Sequence, residues 1–206
     1  MKRFLCYGDS NTWGADPATA ERFDNETRWT RVLAATLGAG YEIIEEGQPG
    51  RTTVWNDPIE GERNGLTYLT PCLESHCPLD GVVLMLGTND LKQRFGLSAF
   101  DVAEGAKRLV RVIQASATGR GGKAPRVLLL APPPLAPLTG YAEMFAGGEA
   151  KSRQFGEHFA RVAVEIGCDV FDTAGVIRSS AIDGIHWDAS EHVKLGRALA
   201  VVVAAL

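Results

Sequence analysis

Ser10 follows a short apolar run, Arg3-Phe4-Leu5-Cys6, as part of Tyr7-Gly8-Asp9-Ser10-Asn11-Thr12, and near the other end of the chain Asp183-Gly184-Ile185-His186 sets a carboxylate three residues from an imidazole. A serine hydroxyl is a weak nucleophile until a base takes its proton, and the base works best when a carboxylate orients it. Ser10, His186 and Asp183 can fill those three roles, which together would attack a carbonyl carbon. Taken alone, a serine after Gly-Asp is more often a turn or helix-capping residue. The Gly-x-Ser-x-Gly elbow of the α/β-hydrolases occurs nowhere in the chain.

Two loop fragments add groups able to hold an oxyanion. Gly87-Thr88-Asn89-Asp90 offers the Asn89 side-chain amide, and Gly47-Gln48-Pro49-Gly50-Arg51-Thr52-Thr53 offers the Gly50 N–H. The Ser10 N–H, where a strand gives way to a helix, would be the third donor. Each fragment by itself reads as an ordinary turn. Asn11, Trp13, Phe145 and Ile185 are candidate substrate-pocket residues. Trp55, in a long loop, is a candidate subunit contact. Lys92, Arg94 and His192 are expected to be solvated, and Asp188 or Ser190 to cap the last helix.

Strand-like and helix-like segments alternate around these residues. Candidate strands are Lys2–Tyr7, Tyr41–Glu46, Gly81–Leu86, Arg126–Ala131 and Asp169–Phe171, and helical periodicity covers Trp29–Leu37, Thr67–Ser75, Ala99–Ala117, Glu149–Ile166 and Ser190–Ala205. The runs Val82-Val83-Leu84-Met85-Leu86 and Val127-Leu128-Leu129-Leu130 have no polar residue, the pattern of parallel strands covered on both faces. The alternation predicts an α/β sandwich with helices on both sides of the sheet. In such sheets the ligand site lies beyond the carboxyl ends of the strands, where Ser10, Gly50 and Asn89 all fall. With no repeat, linker or low-complexity segment, residues 1–206 are expected to form a single domain.

Composition narrows the classes. A chain that is 45% apolar and 22% charged is ordinary for a globular protein, and a net charge of −4 with no basic stripe argues against nucleic acid. No run reaches the length of a membrane span, and Lys2-Arg3 precedes too short an apolar stretch for a signal peptide, so a cytoplasmic location is expected. Cys72 and Cys77 lie five apart without a matching His/Cys pair, so neither zinc nor a disulfide is expected.

The order of these fragments carries more than any one of them. Ser10 after the first strand, Gly50 after the second, Asn89 after the third and Asp183-x-x-His186 before the last helix resemble the SGNH (GDSL-type) hydrolases, across essentially the whole chain. The bacterial arylesterase/acyltransferase branch is the nearest in kind, through Cys6–Gly14, Glu45-Glu46-Gly47, Arg51-Thr52-Thr53, Met85–Asp90 and Pro132–Pro137. The resemblance implies a flavodoxin-like three-layer sandwich with a five-stranded parallel sheet. It also implies a serine esterase acting on short-chain and aryl esters and transferring acyl groups to alcohols. Its partners would be small-molecule esters and alcohols, without metal, organic cofactor, nucleic acid or membrane. A homo-oligomer is implied, an octamer among the relatives. Position 11 departs from the pattern, with Asn in place of the usual Leu.

Two alternatives stand beside this reading. The same triad would serve a carbohydrate acetylesterase or a lysophospholipase. A flavodoxin-like binding module would use the sheet without the chemistry, but no phosphate-binding signature is complete: Gly119-Arg120-Gly121-Gly122-Lys123-Ala124 ends in Ala where a hydroxyl is needed.

Overall fold

Phe4 and Cys6 face one side of the central sheet while Leu5 and Tyr7 face the other, and both sides are buried. This alternation explains why the strands read as unbroken apolar runs. The computed structural model describes residues 1–206. In chain order the elements are β1 (Lys2–Gly8), α1 (Ser10–Trp13), α2 (Trp29–Leu37), β2 (Tyr41–Gly47), α3 (Gly65–His76) and β3 (Gly81–Met85). They continue with α4 (Ala99–Gln114), β4 (Arg126–Ala131), α5 (Gly148–Ser152), α6 (Phe155–Ile166), β5 (Asp169–Asp172) and α7 (Ala189–Ala205).

The five strands are all parallel and lie in the order β2-β1-β3-β4-β5. On one face Phe4, Cys6, Val83, Met85, Leu128 and Leu130 pack against Trp29 and Leu33 of α2 and Leu195, Leu199 and Val203 of α7. On the other, Leu5, Val82, Leu84, Val127 and Leu129 pack against α3, α4 and α6 through residues such as Leu69, Val102, Leu109, Phe155 and Phe159. Each of these large side chains, fully buried, contributes about 1.5–3 kcal/mol against leaving it in water. The two cores make the predicted three layers.

Strand order sets the place of the site. Chain progression reverses beside β1, with β2 on one flank and β3 on the other, and such switch points open a crevice at the carboxyl edge. Gly8 is in register with both Gly47 and Met85. The three strands therefore end level, and the segments bearing Ser10, Gly50 and Asn89 rise from one edge.

Strand bounds agree with the expected ones to within a residue, whereas two helices differ. The single helix expected over Glu149–Ile166 is two, α5 and α6, parted at Arg153–Gln154. There the Ser152 hydroxyl accepts the Leu135 N–H at 2.9 Å and donates to the Glu149 carbonyl at 2.9 Å, binding this turn to the proline-rich loop. The fourth helix starts at a capping box of Ser98 and Asp101 and stops at Gln114, short of Ala117. No helix is long and apolar enough to cross a membrane.

Candidate active site

Ser10 opens α1 directly beyond β1. The Asp9 carboxylate caps this turn by accepting the Asn11 N–H at 3.0 Å, and as first helical residue Ser10 keeps its own N–H free of an intrahelical partner. His186 reaches it from the loop before α7, with Nε2 3.0 Å from Ser10 Oγ. Its Nδ1 lies 2.6 Å from Asp183 Oδ2. The other Asp183 oxygen accepts the N–H groups of Ile185 and His186 at 2.8 and 2.9 Å, so the carboxylate is held from both ends. Burial opposes its ionisation, but the His186 hydrogen bond and the two backbone bonds outweigh burial and hold Asp183 below the usual aspartate value. Gly184, at φ +83°, makes this loop possible. A Cβ there would lie 2.8 Å from the carbonyl oxygens of both Ala136 and Pro137.

Gly50 and Asn89 line the same cavity as Ser10 and His186. Asn89 spends one side-chain N–H on the Arg51 carbonyl at 3.1 Å, which fixes the amide and ties its turn to the Gly50 loop. A second tie lies one residue on, where the Asp90 carboxylate accepts both the N–H and the hydroxyl of Thr53. The Gly50 N–H has no acceptor within the chain. Gly50 adopts φ +80°, and a Cβ there would meet Glu60 Oε2 at 2.6 Å. The arrangement offers a hydroxyl beside a base and unpaired N–H groups close by, which suits attack on a carbonyl with development of an oxyanion.

The cavity is small, about 170 Å³. Ser10, Gly50, Asn89, Ile185 and His186 share it with Phe145, which packs against Tyr141. Pro49, Glu60, Tyr141 and Met144 also line it, though the sequence did not single them out, as does Lys92, which was expected to be solvated. Pro49 adjoins Gly50, and Tyr141 and Met144 precede Phe145 by four and one residues, so a turn around Phe145 would have pointed to them. Glu60 carries no local signal at all.

Of three positions expected to be solvated, Lys92 and His192 are buried and Arg94 is half-buried. Lys92 keeps only 2% of its side chain exposed because Glu60 Oε1 lies 2.6 Å away and Asp57 Oδ2 3.5 Å away. Arg94 joins the same cluster, 2.8 Å from Glu60 Oε1. His192 is wholly buried between Phe23 and Trp187, and burial pushes its pKa down to about 3. Of the pocket candidates, Asn11 and Trp13 stand behind the serine turn and do not line the cavity. Asn11 is buried and donates to the Ile185 carbonyl, whereas Trp13 stacks with the Arg22 guanidinium 5.5 Å from its ring. Trp55 is 37% exposed and away from the cavity. Asp188 does occupy the N-cap position of α7, but its carboxylate accepts the Ser180 hydroxyl rather than the helix N–H groups.

Beneath the site lie two carboxyl groups that the triad does not use. Burial raises Asp9 to about 6, against the opposing Asn11 N–H, and Asp90 to about 7, against its bonds to Thr53.

Comparisons with known proteins bear on the family and the fold. The profile of the GDSL-like lipase/acylhydrolase family matches residues 6–194. Est24, a carbohydrate acetylesterase from Sinorhizobium meliloti, superposes with a TM-score of 0.96 at 42% identity, covering 100% of this chain and 99% of that one. The native aryl esterase of M. smegmatis superposes equally, at 0.96 and 43% identity with both chains fully covered. A carbohydrate acetylesterase family member from Sinorhizobium meliloti reaches 0.94 at 38% identity, over 100% and 98% of the chains. No curated protein matches the sequence.

Proposed function

The chain belongs to the GDSL-like lipase/acylhydrolase family and is a carboxylic ester hydrolase, and from that premise we propose a serine esterase for small acyl groups that works through an acyl-enzyme on Ser10. The observation that carries this reading is the pair of contacts made by His186, 3.0 Å to Ser10 Oγ and 2.6 Å to Asp183 Oδ2, in the wall of the cavity.

The Ser10 oxygen attacks the ester carbonyl as its proton passes to His186 Nε2, and Asp183 stabilises the imidazolium that forms. The carbonyl oxygen becomes an oxyanion held by the N–H groups of Ser10 and Gly50 and the Asn89 amide. His186 returns the proton to the leaving alkoxide as the carbon–oxygen bond breaks. Water, or an alcohol, then attacks the acyl-serine by the same route reversed, giving the acid or a new ester. The small cavity favours acetyl and other short acyl groups, and its Tyr141, Met144, Phe145 and Ile185 wall favours an apolar leaving group such as a phenol.

A second reading changes only the leaving alcohol. Glu60 and Lys92 put a charged pair on the cavity wall, and such groups hydrogen-bond hydroxyls, which favours an acetylated carbohydrate.

Turnover of 4-nitrophenyl acetate by wild type and Ser10→Ala tests the mechanism, and benzyl alcohol added to the assay tests transfer. Loss of turnover in Ser10→Ala and appearance of benzyl acetate are expected. Equal rates from the two proteins would remove Ser10 as nucleophile. Relative kcat/KM on phenyl acetate and an acetylated sugar separates the two substrate readings.

A further inference from the structure

Tyr68, Cys72 and His76 recur every fourth residue along α3, so their side chains form one stripe. That stripe faces Glu46, the penultimate residue of β2. His76 Nε2 lies 2.8 Å from Glu46 Oε1, and the ligand atoms of Glu46, Cys72 and His76 all fall within 4.8 Å of one another. The geometry points to a three-residue site for a zinc-type divalent cation, Glu46–Cys72–His76, separate from the triad.

The donor set suits that class of ion. One thiolate, one imidazole and one carboxylate match a borderline-soft metal, and the i, i+4 spacing of Cys72 and His76 presents two ligands from one helix face. Tetrahedral bonds of ~2.0–2.3 Å place ligand atoms about 3.3–3.7 Å apart. Reaching that spacing takes small side-chain rotations, and two of the three residues are free to make them: the His76 and Glu46 side chains are 28% and 20% exposed. Cys72 is wholly buried and anchors the floor. The exposed edge gives the ion a path in and leaves a fourth position for water.

Charge also balances. Binding displaces the Cys72 proton to solvent, leaving one thiolate and one carboxylate to neutralise a dication. Arg51 lies nearby, its guanidinium 4.2 Å from the Tyr7 ring centroid and 5.6 Å from that of Tyr68. Burial and Glu46 together push the Cys72 thiol up to about 12 against the opposing pull of Arg51. The bound ion itself must therefore displace the proton, and Arg51 then meets a neutral metal–ligand unit rather than a bare cation. Cys72 and Cys77 have no matching His/Cys pair in the sequence, because the carboxylate comes from a strand 26 residues earlier than Cys72.

Cobalt(II) titration of reduced, chelator-treated protein tests the site. One equivalent is expected to bind with a thiolate-to-cobalt charge-transfer band and the visible bands of a tetrahedral ion, and zinc is expected to displace it. Residues that only hydrogen-bond to a metal ligand are worth roughly 10–100-fold in metal affinity, so loss of a direct ligand in Cys72→Ser, His76→Gln or Glu46→Gln should weaken binding by at least ~10-fold. The band should persist in Cys77→Ser and in His186→Gln. Absence of the band at millimolar cobalt, its survival in Cys72→Ser, or its loss in Cys77→Ser would overturn the proposal. His76→Gln, at a partly exposed position, decides the matter if Cys72→Ser does not fold: undiminished cobalt affinity in that variant would also overturn it.

Discussion

The Asn11 side-chain amide donates to the Ile185 carbonyl at 3.3 Å, which ties the turn carrying Ser10 to the loop carrying His186 across 174 residues of sequence. Residue 11 is where the chain departs from the usual family pattern, and the departure sits behind the nucleophile rather than in the cavity. Asn11 Oδ1 is buried without a partner.

Asn11→Ala is therefore expected to lose about 1–3 kcal/mol, the cost of leaving a buried carbonyl unpaired. Both substitutions remove the unpartnered Oδ1 and leave the Ile185 carbonyl unpaired, but Asn11→Leu refills the space, so its loss should be smaller. Denaturant melts of both variants measure this, and a larger loss in Asn11→Leu would contradict it. kcat should fall in both variants while KM stays near its wild-type value, because substrate does not reach residue 11.

Asp183→Asn keeps the volume of the side chain but cannot orient the imidazole or stabilise its charged form. A fall in kcat of roughly 10²–10⁴ is expected, with little change in KM. Steady-state kinetics on 4-nitrophenyl acetate decides it, and an undiminished kcat would show that Asp183 is only a loop anchor.

Asn89→Ala takes away one proposed oxyanion donor. Removing such a donor costs about 2.7–4 kcal/mol of transition-state stabilisation, a fall of about 10²–10³ in kcat. The amide also holds the Arg51 carbonyl, so a melting curve must accompany the kinetics. Loss of stability with kcat intact would assign Asn89 to the loops alone.

How much of this could be read in the chain depends on how local each cause is. Val82–Met85 and Val127–Leu130 announce themselves because a strand covered on both faces needs an apolar residue at every position. Ser10, Gly50 and Asn89 were legible for a related reason: each follows a recognisable strand, and parallel strands end on one edge. Lys92 and Arg94 were not, since their burial depends on Asp57 and Glu60, more than 30 residues away in a loop with no periodicity. His192 sits at a helical position that is polar by type, and only the fold supplies Phe23 and Trp187 around it.

Asp90 gives a stability prediction with a definite sign. Its carboxyl stays protonated in the folded protein up to about pH 7, whereas the ordinary value is 3.8. Between those values the folded state binds more protons than the unfolded, so Asp90 lowers stability as pH rises through that window. Asp90→Asn cannot titrate and can still accept from Thr53. Its stability relative to wild type should rise from pH 4 to pH 8 by on the order of a few kcal/mol. A difference independent of pH would show that Asp90 titrates normally.

Lys92 joins the stability of the site to its substrate preference. It is paired with Asp57, whose side chain is fully buried, and with Glu60 on the cavity wall. Breaking a buried ion pair costs about 3–5 kcal/mol when the surviving charge is left alone. Asp57, however, also accepts the N–H groups of Ile59 and Glu60 and lies 3.5 Å from Arg94. Lys92→Met should therefore cost less, about 1–3 kcal/mol. Without Lys92, Glu60 Oε1 keeps Arg94 at 2.8 Å but loses one of the two cations that fix its orientation toward a bound hydroxyl. If the leaving alcohol is a sugar, KM should rise more for an acetylated sugar than for phenyl acetate, which offers no hydroxyl to bind. An equal rise for both would show that the charged wall supports the loops and does not read the alcohol, leaving the aryl ester as the better substrate class.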